Sequence, residues 1–171
     1  MFYLNSFLLF SILGYLGELS LSLLAHQTKE TLMIGPWMPI YGLGLLIVHA
    51  IHKKLTHYKL SKKKEVFFCF LLSVISLTLL EELGGLITAT LFHRSFWNYE
   101  GLFLSIGPYI NVFISLIWGI LALIIEYHFY PLVAPLLKKT PRLLTYTLLL
   151  LFLLDNLYCL NKNFFSLFSS L

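Results

Sequence analysis

Five carboxylates lie inside long apolar runs where no Lys or Arg is at hand to neutralise them: Glu18, Glu81, Glu82, Glu126 and Asp155. Acids kept from water in this way can hold a proton, a cation or a substrate amine. A charge at the middle of a bilayer costs about 2.5–3.5 kcal/mol, so such residues face a bundle interior or a cavity. Their neighbours recur at helical spacing. Ser11, Gly14, Glu18 and Ser22 share one face, as do Thr78, Glu81, Gly85 and Thr88, and again Asn111, Ser115, Gly119, Ala122 and Glu126. Each of these small-and-polar stripes carries a carboxylate, and the stripes are expected to pack together. Glu81 and Glu82 are adjacent, about 100° apart around a helix, which makes them a poor proton-sharing pair on one face. One of them points inward and the other toward a neighbouring helix. Interhelical hydrogen bonding, at about 0.6 kcal/mol a bond, is the alternative use of all these acids.

A second signal is the decapeptide at 35–44, Gly-Pro-Trp-Met-Pro-Ile-Tyr-Gly-Leu-Gly. Broken backbone at membrane depth persists only where protein buries it or where it lines a cavity. Gly35, Pro36, Trp37, Pro39, Tyr41 and Gly42 are therefore candidate binding residues. On this reading Gly35 or Gly42 takes a conformation that glycine alone reaches cheaply, or lets a ligand approach closely. A rigid turn that starts a helix, with proline pre-setting φ, is the competing reading. Trp97, Asn98 and Tyr99 complete the candidate set. Aromatic residues at a membrane interface commonly anchor it; with Asn98 between them they also suit an amphipathic lid.

The elements that must position these residues follow from composition. Hydrophobic residues make up 58% of 171 and charged ones only 12%, with a mean hydropathy of +0.84. That balance excludes a soluble globular domain and points to an all-α, polytopic bundle in the cell membrane. A span takes roughly 20 apolar residues, and five runs read as spans: 2–25, 39–52, 66–92, 108–130 and 143–160, the second being short unless the proline-rich segment before it belongs to it. The first has no basic leader and too long an apolar run for a cleaved signal peptide. Lys53, Lys54, Lys59, Lys62, Lys63, Lys64, Lys138, Lys139 and Arg142 fall on one side, against Lys29, Arg94 and Lys162 on the other. The positive-inside rule then makes the N-terminus cytoplasmic and the C-terminus external. Glu18, Glu81, Glu82 and Asp155 fall in the middle or outer half of the bilayer, and Glu126 toward the cytoplasm. The net charge of +4 reflects the same asymmetry. Its lysines between spans suit anionic lipid rather than nucleic acid.

No linker interrupts the chain, so residues 1–171 read as one integral membrane domain. Ile34-Gly35-Pro36-Trp37 echoes Ile106-Gly107-Pro108-Tyr109, and a span with a carboxylate beside glycine precedes each. The echo suggests a repeat of helical hairpins at 2–52 and 66–130 with a fifth span appended, chance recurrence being the alternative. His49, His52 and His57 gather at the end of the second span, and His26, His93 and His128 at other span ends. They read as interface residues, without metal-ligand spacing. Cys69 and Cys159 fall within spans and suggest neither metal nor disulfide.

At these motifs the chain resembles the small bacterial membrane proteins called ABC-transporter type IV, or CmpB-like, permeases. The shared pattern matches Gly14-Tyr15 to Glu18, then Gly35-Pro36-x-x-Pro39-Ile40-Tyr41-Gly42-x-Gly44. It continues with Glu82, with Trp97-Asn98-Tyr99 where the family usually has Trp-Asp-Tyr, and with Trp118-Gly119 and Pro131. Two departures remove basic groups. Leu32-Met33-Ile34 stands where the family commonly has Asn-Arg-Gly, and Gly107-Pro108-Tyr109 stands where it has Gly-Arg before Trp-Gly. Both weigh against an anion-binding role. The chain has no Gly-x-x-x-x-Gly-Lys-Ser/Thr loop, so ATP hydrolysis must come from a partner.

The expectation is a five-span helical bundle with an outward-facing polar pocket, the membrane component of a small-solute transport system. Glu18 and Glu82 bind a cation, proton or amine there, residues 35–44 supply backbone groups, and Trp97 to Tyr99 close the mouth. Expected partners are the bilayer, a small-molecule or cation substrate, an ATPase or other membrane subunit, and a second copy of the chain, with no cofactor. The alternative is a structural or regulatory membrane protein whose stripes serve packing. An intramembrane enzyme acting on lipid ranks last, since no nucleophile stands beside a base.

Overall fold

Each apolar run closes into helix, the only conformation that satisfies its own backbone in lipid. The computed structural model describes residues 1–26 and 31–168; Lys29 lies outside the described residues. The helices are α1 (Phe2–Leu24), α2 (Pro39–His57), α3 (Lys62–Phe92), α4 (Val112–Ile124), α5 (Tyr130–Lys139) and α6 (Arg142–Phe168). One π-helical turn, Ile125–Phe129, joins α4 to α5 without a break. Between α3 and α4 the two-residue strands β1 (Ser105–Ile106) and β2 (Ile110–Asn111) pair antiparallel, with Ser105 opposite Asn111.

Among the described residues, four helical stretches are long and apolar enough to cross a membrane: Phe2–Leu24, Lys62–Phe92, Val112–Lys139 and Arg142–Lys162. Leu24, Phe103, Leu132 and Leu143 are each more than two-thirds exposed (79, 86, 72 and 78%), a surface suited to lipid. The expected span at 39–52 is helical but not among the four. Its apolar part covers only about 20 Å at 1.5 Å per residue, short of a hydrocarbon core of roughly 30 Å.

The chain divides into two compact units, Met1–Gly42 with Leu137–Leu171, and Leu43–Leu136. In the first, α1 packs on α6 around Leu8, Met33, Trp37 and Cys159. Phe152 meets Trp37 and Phe7 edge-on, with centroids 5.7 and 5.5 Å apart. A buried polar clasp fastens the other end: Asn5 donates to the Leu137 carbonyl at 3.0 Å and accepts from Thr145 Oγ1 at 2.7 Å.

In the second unit α3 packs on α4. Gly119 permits this closeness, because a Cβ there would run into Val74 and Phe70. Asn111, Ser115, Gly119, Ala122 and Glu126 are all buried, so the stripe read from sequence is the packed face. Asn111 also caps α4, its side-chain oxygen accepting from the Ile114 N–H at 3.2 Å.

Candidate functional site

The decapeptide at 35–44 divides at Pro39. Residues 35–38 are irregular, with the Trp37 N–H donating to the Gly35 carbonyl at 2.8 Å and the Met38 N–H to the Ser11 carbonyl at 3.0 Å. From Pro39 onward the backbone is regular α2, and proline suits a first helical position because its missing N–H is not needed there. Irregular backbone is thus confined to residues 35–38, and the helix starts at Pro39. The irregular half is tied down by Asp155 of α6. Its Oδ2 accepts from the Gly35 N–H at 2.7 Å and its Oδ1 from the Ile34 N–H at 3.1 Å. This acid serves the backbone. Trp37 is buried in the unit's core and Pro36 is exposed.

Glycine is needed here for closeness and not for unusual torsion. The positive-φ glycines are Gly101 and Gly107, not Gly35 or Gly42. A Cβ on Gly42 would lie 2.5 Å from both the Phe7 carbonyl oxygen and Ser11 Oγ of α1. Two helix backbones approach at that point, which corrects the expectation of a ligand-facing, glycine-only conformation.

Within the same unit the Tyr41 ring covers Gly14, where a Cβ would collide with it. Its hydroxyl donates to Glu18 Oε1. Gly14 and Glu18 are one turn apart on α1, so a ring seated on the first carries its hydroxyl to the second. Glu18 is half-buried.

The second unit repeats the chemistry with different residues. The Tyr109 ring covers Gly85 of α3, and one turn earlier the buried Glu81 accepts from the Tyr99 hydroxyl at 2.7 Å. Trp97 meets Tyr109 edge-on with centroids 6.4 Å apart. Of the adjacent acids, then, Glu81 takes the enclosed, bonded position. Glu82 is half-buried, with its Oε2 enclosed and unbonded, as is Trp97 Nε1. Asn98 is exposed and its oxygen accepts from the Glu100 N–H at 2.8 Å, a local turn. The loop is braced from within. The Tyr99 N–H donates to the Pro108 carbonyl at 2.7 Å, and Asn111 Nδ2 to the Phe103 carbonyl at 2.8 Å.

One cluster went unread in the sequence. His49 Nδ1 and His52 Nδ1 lie 2.9 and 2.8 Å from Glu126 Oε1. His52 Nε2 lies 3.4 Å from Glu65 Oε1, which also receives Lys62 Nζ at 2.8 Å and the Tyr127 hydroxyl at 2.9 Å. These histidines are thus more than interface residues. The available signal was the three-residue spacing of His49 and His52, which places both rings on one helix face.

These acids fall into two chemical kinds. Glu65 and Glu126 meet imidazoles and an ammonium. Glu18 and Glu81 meet tyrosine hydroxyls, and a carboxylate so held keeps acceptor sites for a further donor. The sequence profile of one family, described as "Putative ABC-transporter type IV", matches residues 5–160. The chain belongs to that family. No curated protein and no solved structure matches it. Family and apolar helices together describe a multi-pass membrane protein of the transport class.

Proposed function

We propose that this ABC-transporter type IV family member is the membrane-embedded component of a small-solute transport system, and that its substrate carries a positively charged amine. The observation that carries the reading is the pairing of a carboxylate with a tyrosine hydroxyl in apolar helices, at Glu18–Tyr41 and at Glu81–Tyr99. An ammonium group suits such an acid, and the rings of Trp97, Tyr99 and Tyr109 offer it π-faces. Glu82, with one oxygen enclosed and unbonded, is a further acceptor. Gly35, Pro36, Trp37, Pro39, Tyr41 and Gly42 contribute by fixing the backbone that presents Tyr41, and Asn98 by shaping the turn that presents Trp97 and Tyr99. In this reading α2 is the fifth crossing, the N-terminus is cytoplasmic, and ATP hydrolysis belongs to a separate subunit.

Purified protein titrated with methylammonium chloride should show a saturable change in tryptophan fluorescence that sodium chloride does not produce. Glu18→Gln and Glu81→Gln, which keep size and hydrogen-bonding but cannot ionise, should each weaken that response about tenfold or more while melting stays near wild type. An unchanged response in both variants assigns these acids to packing and removes the substrate reading. For orientation, a cysteine at Ser61 should be labelled only from the cytoplasm and one at Ser95 only from outside; the reverse pattern overturns it.

A further inference from the structure

Residues 101–106 take no part in the amine reading. They belong to the connection between α3 and α4, inside the unit formed by Leu43–Leu136. Leu102, Phe103 and Ile106 are 58, 86 and 63% exposed. Large apolar side chains gathered on a surface mark contact with another protein or with a membrane. The sequence around them is equally apolar. No charged residue occurs from position 101 through 125, so the uncharged run of α4 begins well before the helix does.

This segment has a fixed shape. The Leu102 N–H donates to the Tyr99 carbonyl at 3.0 Å and the Ser105 N–H to the Leu102 carbonyl at 3.2 Å. From the far side, Asn111 Nδ2 holds the Phe103 carbonyl and the Val112 N–H holds that of Leu104, at 2.8 and 3.0 Å. Leu104 keeps φ at +62°, the left-handed region that a leucine enters at a cost. Strain of this kind persists only where the surroundings over-determine it, and it gathers in segments with a task.

Depth decides between protein and lipid. A hydrocarbon core of roughly 30 Å takes about 20 residues of helix, which carries it from Lys62, Lys63 and Lys64 at the start of α3 to the neighbourhood of Gly85. Tyr109 covers Gly85 and Tyr99 reaches Glu81. The loop therefore folds back along α3 to the level where the core ends, instead of standing off into water. Leu83 and Leu86 of α3 and Phe113 of α4 are exposed near that level too. The loop thus continues the apolar surface of two helices able to cross a membrane.

We propose that residues 101–106 form a membrane-interface wedge, with Leu102, Phe103 and Ile106 seated among lipid chains just below the headgroups, on the side opposite Lys62, Lys63 and Lys64. The occupant of the patch is lipid. The wedge sets the height of the 97–111 loop against the bilayer, and with it the level at which Trp97 and Tyr99 stand beside α3. This inference does not rest on the amine reading, since it concerns other residues and another readout.

The test is fluorescence of a bimane probe on Ile106→Cys, which leaves Phe103 in place, in phosphatidylcholine vesicles at high lipid-to-protein ratio. The unsubstituted protein, whose Cys69 and Cys159 are buried, is the blank. Lipid brominated high on the acyl chain should quench the probe more than lipid brominated near the bilayer centre. A probe on Ile75→Cys, midway along α3, should show the opposite order, and one on Ser61→Cys should lose emission only to iodide. Adding Phe103→Asp, an exposed change that should leave melting near wild type, should exchange lipid quenching at position 106 for iodide quenching. Emission at position 106 lost to iodide alone overturns the proposal, because the loop then stands in water. Shielding from both quenchers also overturns it, because protein then covers the patch. So does lipid quenching that Phe103→Asp leaves unchanged.

Discussion

In the unit that joins residues 1–42 to 137–171, one tyrosine does two things: its ring rests on Gly14 and its hydroxyl reaches Glu18, a turn further along α1. In the unit of residues 43–136 those tasks are divided. Tyr109 rests on Gly85, while Tyr99 reaches Glu81, a turn earlier along α3. The order of glycine and acid is reversed between the two. Spacing explains why either order works, since positions four apart lie on one helix face in both directions. The echo between 34–37 and 106–109 is thus accompanied by opposite orders of glycine and acid. What the units share is a glycine that leaves room for an aromatic ring, one turn from an acid that accepts from a tyrosine hydroxyl.

The comparison is easiest to break at its glycines. Gly14→Val and Gly85→Val each force a ring away from its helix, and overpacking of this kind costs about 1–3 kcal/mol. Both should lower the melting temperature or prevent accumulation. Gly17→Val is the control, since a Cβ there meets nothing within 4 Å. A Gly85→Val protein that melts like wild type would separate the two units.

Removing the hydroxyls comes next. Tyr99→Phe strips one hydrogen-bond partner from a buried acid, a loss of about 1–3 kcal/mol. Tyr41→Phe should cost less, because half-buried Glu18 can recruit water. Equal melting shifts for the two would mean that burial does not set their difference. Asp155→Asn leaves one oxygen for two backbone donors and should cost about 1 kcal/mol, read as faster hydrogen exchange at Ile34 and Gly35. Asn98→Ala should change stability by less than about 0.5 kcal/mol, since its side chain is exposed and serves only a local turn.

Features that repeat along a single helix were legible in the sequence. The stripe from Asn111 to Glu126 is buried throughout, and the irregular backbone before Pro39 follows from local glycine and proline chemistry. Partners distant in sequence were not legible. Asp155 reads as a stray acid until the N–H groups of Ile34 and Gly35 stand beside it. Periodicity shows that Glu81 and Glu82 diverge, but only the fold of the 97–111 loop decides that Tyr99 reaches Glu81. The bond between His52 and Glu126 spans 74 residues, which no window of local pattern covers.

The hydrogen bonds from Ile34 and Gly35 to Asp155 also bear on biogenesis. Residues 43–136 leave the ribosome as one continuous stretch and have every partner at hand. The unit around Trp37 has to wait for its last helix, roughly 95 residues downstream of Gly42. At about 5–20 residues per second that is a delay of about 5–20 s. Through that interval the Ile34 and Gly35 amides stand without the carboxylate that accepts from them. A translocon or chaperone that shelters α1 until α6 arrives would therefore govern the yield of folded protein, and truncation before Asp155 should leave α1 a target for membrane proteases.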